Sequence, residues 1–113
     1  DPMGVNEIME LLREVQKELG LSIVISTHDI DIVPLYCDHA FVMDQGKILI
    51  EGTPKEVFSK PEVLRKIHLR LPRVAHLMEI LEHKDAFEFQ DTAITISEAR
   101  NELKKWRNNI KIV

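Results

Sequence analysis

A chain of 113 residues, 44% hydrophobic and 30% charged, is sized for one domain burying roughly two-thirds of its unfolded surface. Its 19 acidic against 15 basic residues and net charge of −4 argue against a nucleic-acid binder, which carries a basic field. The single cysteine, Cys37, rules out an internal disulfide framework and suits a reducing compartment. No apolar run approaches the roughly 20 residues that span a bilayer, and the first residues carry no signal-peptide pattern. The expectation is a soluble, cytosolic, mixed α/β piece.

In chain order, Val5, Ile8, Met9, Leu12, Val15 and Leu19 recur at helical spacing, with Glu7, Glu10, Arg13, Glu14 and Lys17 on the other face. Gly20 stands where a helix ends in the left-handed conformation. Asp1-Pro2-Met3-Gly4 reads as a turn leading in. Ser22 to Thr27, SIVIST, contains an unbroken β-branched run. That predicts a strand buried on both faces, as in a parallel sheet covered by helices and as half of a βαβ unit. Such a strand needs neighbours on both edges, and no preceding segment reads as one.

Asp29 to Tyr36 predicts a short helix made irregular by Pro34, with Asp29 or Thr27 as cap and Asp31 favourable in the first turn. Ala40 to Met43, Asp44-Gln45-Gly46, and Lys47 to Glu51 predict a β-hairpin. Thr53 and Pro54 open a short helix to Phe58, and another runs from Pro61 or Glu62 to Ile67. Arg73 to Glu82 places Val74, Leu77, Met78 and Leu81 on one stripe. Ala99, Leu103, Trp106 and Ile110 form a last stripe behind the candidate capping box Thr95-Ile96-Ser97-Glu98, where Ser97 is the alternative cap. Phe87 to Ile96 reads as irregular. The last 46 residues thus form a small helical subdomain packed on the α/β part.

Among candidate functional residues, His28 follows the predicted strand directly. Open α/β sheets bind ligands at that carboxyl end. Two readings stay open there: an imidazole that hydrogen-bonds a phosphate or orients a water, and a bystander beside a helix cap. Asp29 reads as a cap and His39 shows no partner. His68, His76 and His83 invite a metal reading. However, a seven-residue spacing puts His76 and His83 about 10 Å apart, too far to share one ion, and no Cys or acidic cluster completes a ligand set. Cys37 reads as a small buried apolar group and Trp106 as core. Lys104, Lys105 and Arg107 read as a solvated helix end. The chain has no phosphate-binding glycine loop, nucleophile elbow or zinc-protease motif.

Four segments together resemble the end of an ABC transporter ATP-binding subunit. They are Ile23-Val24-Ile25-Ser26-Thr27-His28-Asp29, Cys37-Asp38-His39-Ala40-Phe41-Val42-Met43, Gly46-Lys47-Ile48, and Glu51-Gly52-Thr53-Pro54-Lys55-Glu56-Val57-Phe58. Asp1-Pro2-Met3-Gly4 resembles that family's D-loop. The likeness covers about the first 60 residues. Leu69 to Ala75 and Ile94 to Ala99 resemble the tail of the cobalt or nickel importer ATPases of the energy-coupling-factor class.

The resemblance implies an incomplete P-loop NTPase-like α/β fold, with residues 1–67 the C-terminal portion of the ATPase domain and 68–113 a mainly helical tail. It makes His28 the switch histidine that contacts the γ-phosphate of ATP and helps hold the attacking water, and Asp1 the D-loop aspartate at the interface between two ATPase subunits. ATP and Mg²⁺ are the cofactors it implies for the complete protein. It implies as partners a second ATPase subunit, in a homo- or heterodimer, and transmembrane transporter subunits at the cytoplasmic face of the membrane. The family's phosphate-cradling loop and lysine, Q-loop, signature motif and Walker B carboxylates are not among these residues. The expectation is therefore a C-terminal fragment that does not hydrolyse ATP alone and that self-associates through its open strand. Two other readings remain: a stand-alone interaction or regulatory module built on the tail, and a metal sensor built on the tail histidines.

Overall fold

The computed structural model describes residues 2–109. Asp1, and Ile110 of the last predicted stripe, lie outside the described residues. Helix α1, Pro2–Leu19, starts earlier than the spacing predicts, so Met3 and Gly4 are helical rather than part of a turn. A proline at the first helical position sacrifices no backbone hydrogen bond. Gly20 ends the helix at φ 64°, its N–H reaching the Gln16 carbonyl at 2.9 Å. Met9 is buried, but Ile8 and Leu19, expected on the same covered face, are exposed.

The predicted strand Ser22–Thr27 is not formed, and this is the main correction to the sequence reading. A strand exists through its ladder of hydrogen bonds, and among the described residues no other segment pairs with it. Its β-branched run therefore meets solvent: Val24 is 92% exposed and Ile25 is exposed as well. A 3₁₀ turn, Ile30–Ile32, then runs into the short helix α2, Val33–Tyr36, the irregular helix that Pro34 predicted. This segment carries α1. Arg13 donates to the Leu35 carbonyl at 2.9 Å and lies over the Tyr36 ring at 5.1 Å, and the Tyr36 hydroxyl donates to Asn6 Oδ1 at 3.2 Å.

Strands β1, Ala40–Asp44, and β2, Lys47–Gly52, form the predicted hairpin as a two-stranded antiparallel sheet, and the parallel sheet expected around Ser22–Thr27 is not formed among the described residues. Gln45 and Gly46 turn it with φ of 49° and 76°, the primed-turn geometry that follows strand twist and favours glycine. Val42 faces Ile50 and Met43 faces Ile48, so Leu49 is the extra residue of a bulge. Helix α3, Pro54–Phe58, is capped as predicted, Thr53 Oγ1 accepting from the Glu56 N–H at 3.2 Å.

Helix α4, Pro61–Lys66, ends in a reciprocal pair of hydrogen bonds. The Leu69 N–H reaches the Leu64 carbonyl at 2.9 Å and the His68 N–H reaches the Arg65 carbonyl at 3.1 Å. His68 sits at φ 60° between them. This is a Schellman termination with histidine where glycine is usual, and Leu64 and Leu69 supply its apolar contact.

The core gathers Ile30, Val42, Val57, Phe58 and Leu64 with Leu71, Ala75 and Ile94 from the later helical region. Val57 and Leu64 are completely buried. Helix α5, Arg73–Lys84, and helix α6, Ile96–Asn109, pack through a second cluster of Met78, Ala93 and Ala99. Leu77, expected on the α5 stripe, is exposed, and Ala75 is buried instead. Thr95 is the α6 cap, not Ser97: its Oγ1 accepts from the Glu98 N–H at 3.2 Å, and Glu98 reaches back to the Ile94 N–H at 3.1 Å. Trp106 is half-buried rather than core, stacking on Phe87 with centroids 4.3 Å apart.

Candidate functional site

His28 lies at an exposed bend between the unpaired 21–27 segment and the 3₁₀ turn. The bend has a local cause. Thr27 Oγ1 accepts the Asp29 N–H at 2.9 Å, a hydroxyl closing its own backbone two residues on. Asp29, expected as a possible cap, occupies the capping position but its side chain makes no capping bond. Beyond it, Ile30 and Ile32 are buried and anchor the chain.

Between these two anchors, Asp31 turns outward and meets the C-terminal half of the chain. Its carboxylate takes Arg70 Nη2 at 2.8 Å and Nη1 at 3.4 Å, and accepts the Arg73 N–H at 3.0 Å. The Arg70 hydrogen bond, aided by the Arg73 N–H and both positive charges, holds the Asp31 carboxyl below the usual carboxylate range against an opposing effect of burial. The same pairing raises the Arg70 guanidinium. Nothing in the local sequence pattern announces this contact, because its partners are 39 and 42 residues away.

The remaining candidates separate. His39 has a partner that the sequence reading missed: its Nε2 lies 3.1 Å from Glu51 Oε2 across the mouth of the hairpin, and its ring meets Phe41 at 4.7 Å. The signal was the hairpin register, which places Glu51 opposite Phe41 and so leaves His39, two residues before Phe41, diagonal to it on the same face. Cys37 is half-buried rather than buried, and burial with the Asp38 charge pushes its thiol up, away from the reactive thiolate. His68 follows α4 while His76 and His83 lie on α5, and all three are exposed. Lys105 pairs with Glu102 at 3.5 Å. Glu102 is the one buried charged side chain among the described residues, accepting the Gln90 and Asp91 N–H groups at 3.0 and 3.3 Å.

Chemically, the bend offers one imidazole as hydrogen-bond donor or acceptor. The Thr27 hydroxyl beside it is already used within the turn. A phosphate group fits this arrangement as a single contact, and the described residues around the bend contain no backbone cradle or lysine that would hold the rest of a nucleotide.

No family model matches the chain. Over 110 residues, 97% of its length, it is 60% identical to an energy-coupling factor transporter ATP-binding protein of Clostridium perfringens, of which it spans 39%. It is 54% identical over 103 residues, 91% of its length, to the protein of that name from Methanocaldococcus jannaschii, of which it spans 36%. With the Methanococcus maripaludis protein it shares 47% over 106 residues, 94% of the chain and 37% of the relative. The chain thus spans under two-fifths of the length of these curated relatives. Along nearly its whole length it is homologous to the C-terminal part of the energy-coupling-factor ATP-binding proteins of the ABC transporter family.

Proposed function

We propose that this chain is the C-terminal part of the ATP-binding subunit of an ABC-type importer, whose complete form hydrolyses ATP to drive uptake of cobalt or nickel. The observation that carries the proposal is the 60% identity across 97% of the chain to a protein named as an energy-coupling factor transporter ATP-binding protein. The likeness runs through the hairpin region and the tail together, which does not favour a stand-alone module built on the tail.

In this reading His28 donates a hydrogen bond to the γ-phosphate and helps hold the attacking water. The exposed bend leaves its imidazole accessible for that contact. Bound ATP with Mg²⁺ supplies the phosphoryl group and neutralises its developing charge. Asp1 serves the contact with a second ATPase subunit, identical or different, and transmembrane subunits complete the importer at the cytoplasmic face of the membrane. No helix among the described residues is long and apolar enough to cross a membrane. Residues 1–67 are assigned to the ATPase domain and 68–113 to its tail. The 113-residue chain alone does not hydrolyse ATP, because a single imidazole cannot replace the positioned amides, lysine and metal that phosphoryl transfer needs.

The test is reconstitution of the intact protein with its membrane subunits in vesicles. ATP-dependent accumulation of cobalt or nickel is expected. Accumulation of an organic solute alone overturns the metal assignment, and absence of ATP hydrolysis overturns the whole reading.

A further inference from the structure

The position of His28 is fixed from one side. Upstream, residues 21–27 belong to no helix or strand of the described chain. Downstream, the Thr27–Asp29 turn, the buried Ile30 and Ile32, and the Asp31 carboxylate follow within four residues. Ile30 joins the core, and Asp31 is the group among these that makes polar contacts outside the local segment. It receives both terminal nitrogens of Arg70, the N–H of Arg73 at 3.0 Å and, at 3.7 Å, Arg73 Nε. Arg70 is itself held by donating to the Leu71 carbonyl at 3.0 Å, and Leu71 is buried in the core.

Helix α5 depends on the same carboxylate. Its capping position is Pro72, which has no side-chain acceptor to offer the first free amides. Asp31 fills that role from 42 residues away, at the positive end of a 12-residue helix. One carboxylate, carried on the 3₁₀ turn that follows His28, therefore ties that turn to the start of α5.

We infer that Asp31, clasped by Arg70 and Arg73, is a positioning residue for His28, which couples the imidazole bend to the start of the C-terminal helical region. The inference rests on the proposed contact of His28 with the γ-phosphate. Its consequence is that movement of Leu69–Arg73 changes the rate of hydrolysis without touching nucleotide.

The experiment uses the intact ATP-hydrolysing protein and compares Asp31→Asn, Arg70→Gln and Arg70→Lys, each alone and combined with His28→Gln, by kcat, KM for ATP and Tm. Asp31→Asn and Arg70→Gln are expected to lower kcat by roughly 10- to 100-fold, as small misplacements of a reacting group do, with KM held within about twofold. The double variant Asp31→Asn/Arg70→Gln should be no slower than the worse single one, Arg70→Lys should recover most of the rate, and neither change should slow His28→Gln further. A folded Asp31→Asn or Arg70→Gln protein with full kcat overturns the inference, as does an equal loss in the His28→Gln background. Should Asp31→Asn fail to fold, the two Arg70 variants, on an exposed side chain, carry the same comparison. Full activity of His28→Gln would instead remove the underlying reading of His28, a separable failure.

Discussion

His68 adopts φ 60° after α4, a conformation that costs an L-residue with a Cβ about 1–2 kcal/mol. It is held there because Leu69 must fold back onto Leu64 within the core. Glycine takes this conformation without that cost but loses more entropy on folding, about 0.5–1 kcal/mol. His68→Gly is therefore expected to stabilise the protein by about 0.5 kcal/mol, read as a higher midpoint in urea. A lower midpoint would mean that the His68 side chain itself holds the helix end. The sequence reading treated His68 as a metal candidate or surface residue, since histidine carries none of glycine's signal for a helix stop. The Asp31 clasp was equally invisible, because pairing across 39 residues leaves no periodicity.

Elements governed by local chemistry were legible. The hairpin, the Thr53 cap of α3 and the Thr95 cap of α6 follow from residues within a few positions of each other. Thr95→Ala should cost about 1 kcal/mol by leaving the Glu98 N–H without its side-chain acceptor, measured as a loss of unfolding free energy in urea. No change would show that Ser97 or water replaces the cap. The Ser22–Thr27 strand was not legible as it stands, because its β-branched composition reports an affinity for sheet burial while the ladder depends on other segments. Ile8, Leu19 and Leu77 failed for the same reason: helical spacing identifies an apolar face, not what covers it. At the candidate site, the sequence singled out His28 and the resemblance supplied its chemistry. The turn that holds it emerged from Thr27 Oγ1 and the buried Ile30 and Ile32.

At the scale of the molecule, the chain exposes 8674 Å², whereas a compact 13.1 kDa monomer exposes about 6,400 Å². Its radius of gyration of 16.3 Å likewise exceeds the roughly 13 Å of a compact domain of this length. Met3, Leu11, Val24, Phe41, Met43 and Ile48 are among the large apolar groups left in solvent. Exposed apolar area of this kind, next to an unpaired β-branched run, favours association. The isolated 113-residue chain should therefore run as a dimer or larger on size exclusion, and a monomer unchanged across concentration would contradict this.

The central claim concerns His28, and the most direct measurement is kcat for ATP hydrolysis by the intact protein with His28→Ala. The expected loss is about 100-fold or more, as when one donor to a developing anionic charge is removed, with nucleotide affinity little changed. Hydrolysis at the unaltered rate would contradict the assignment of His28 to the γ-phosphate.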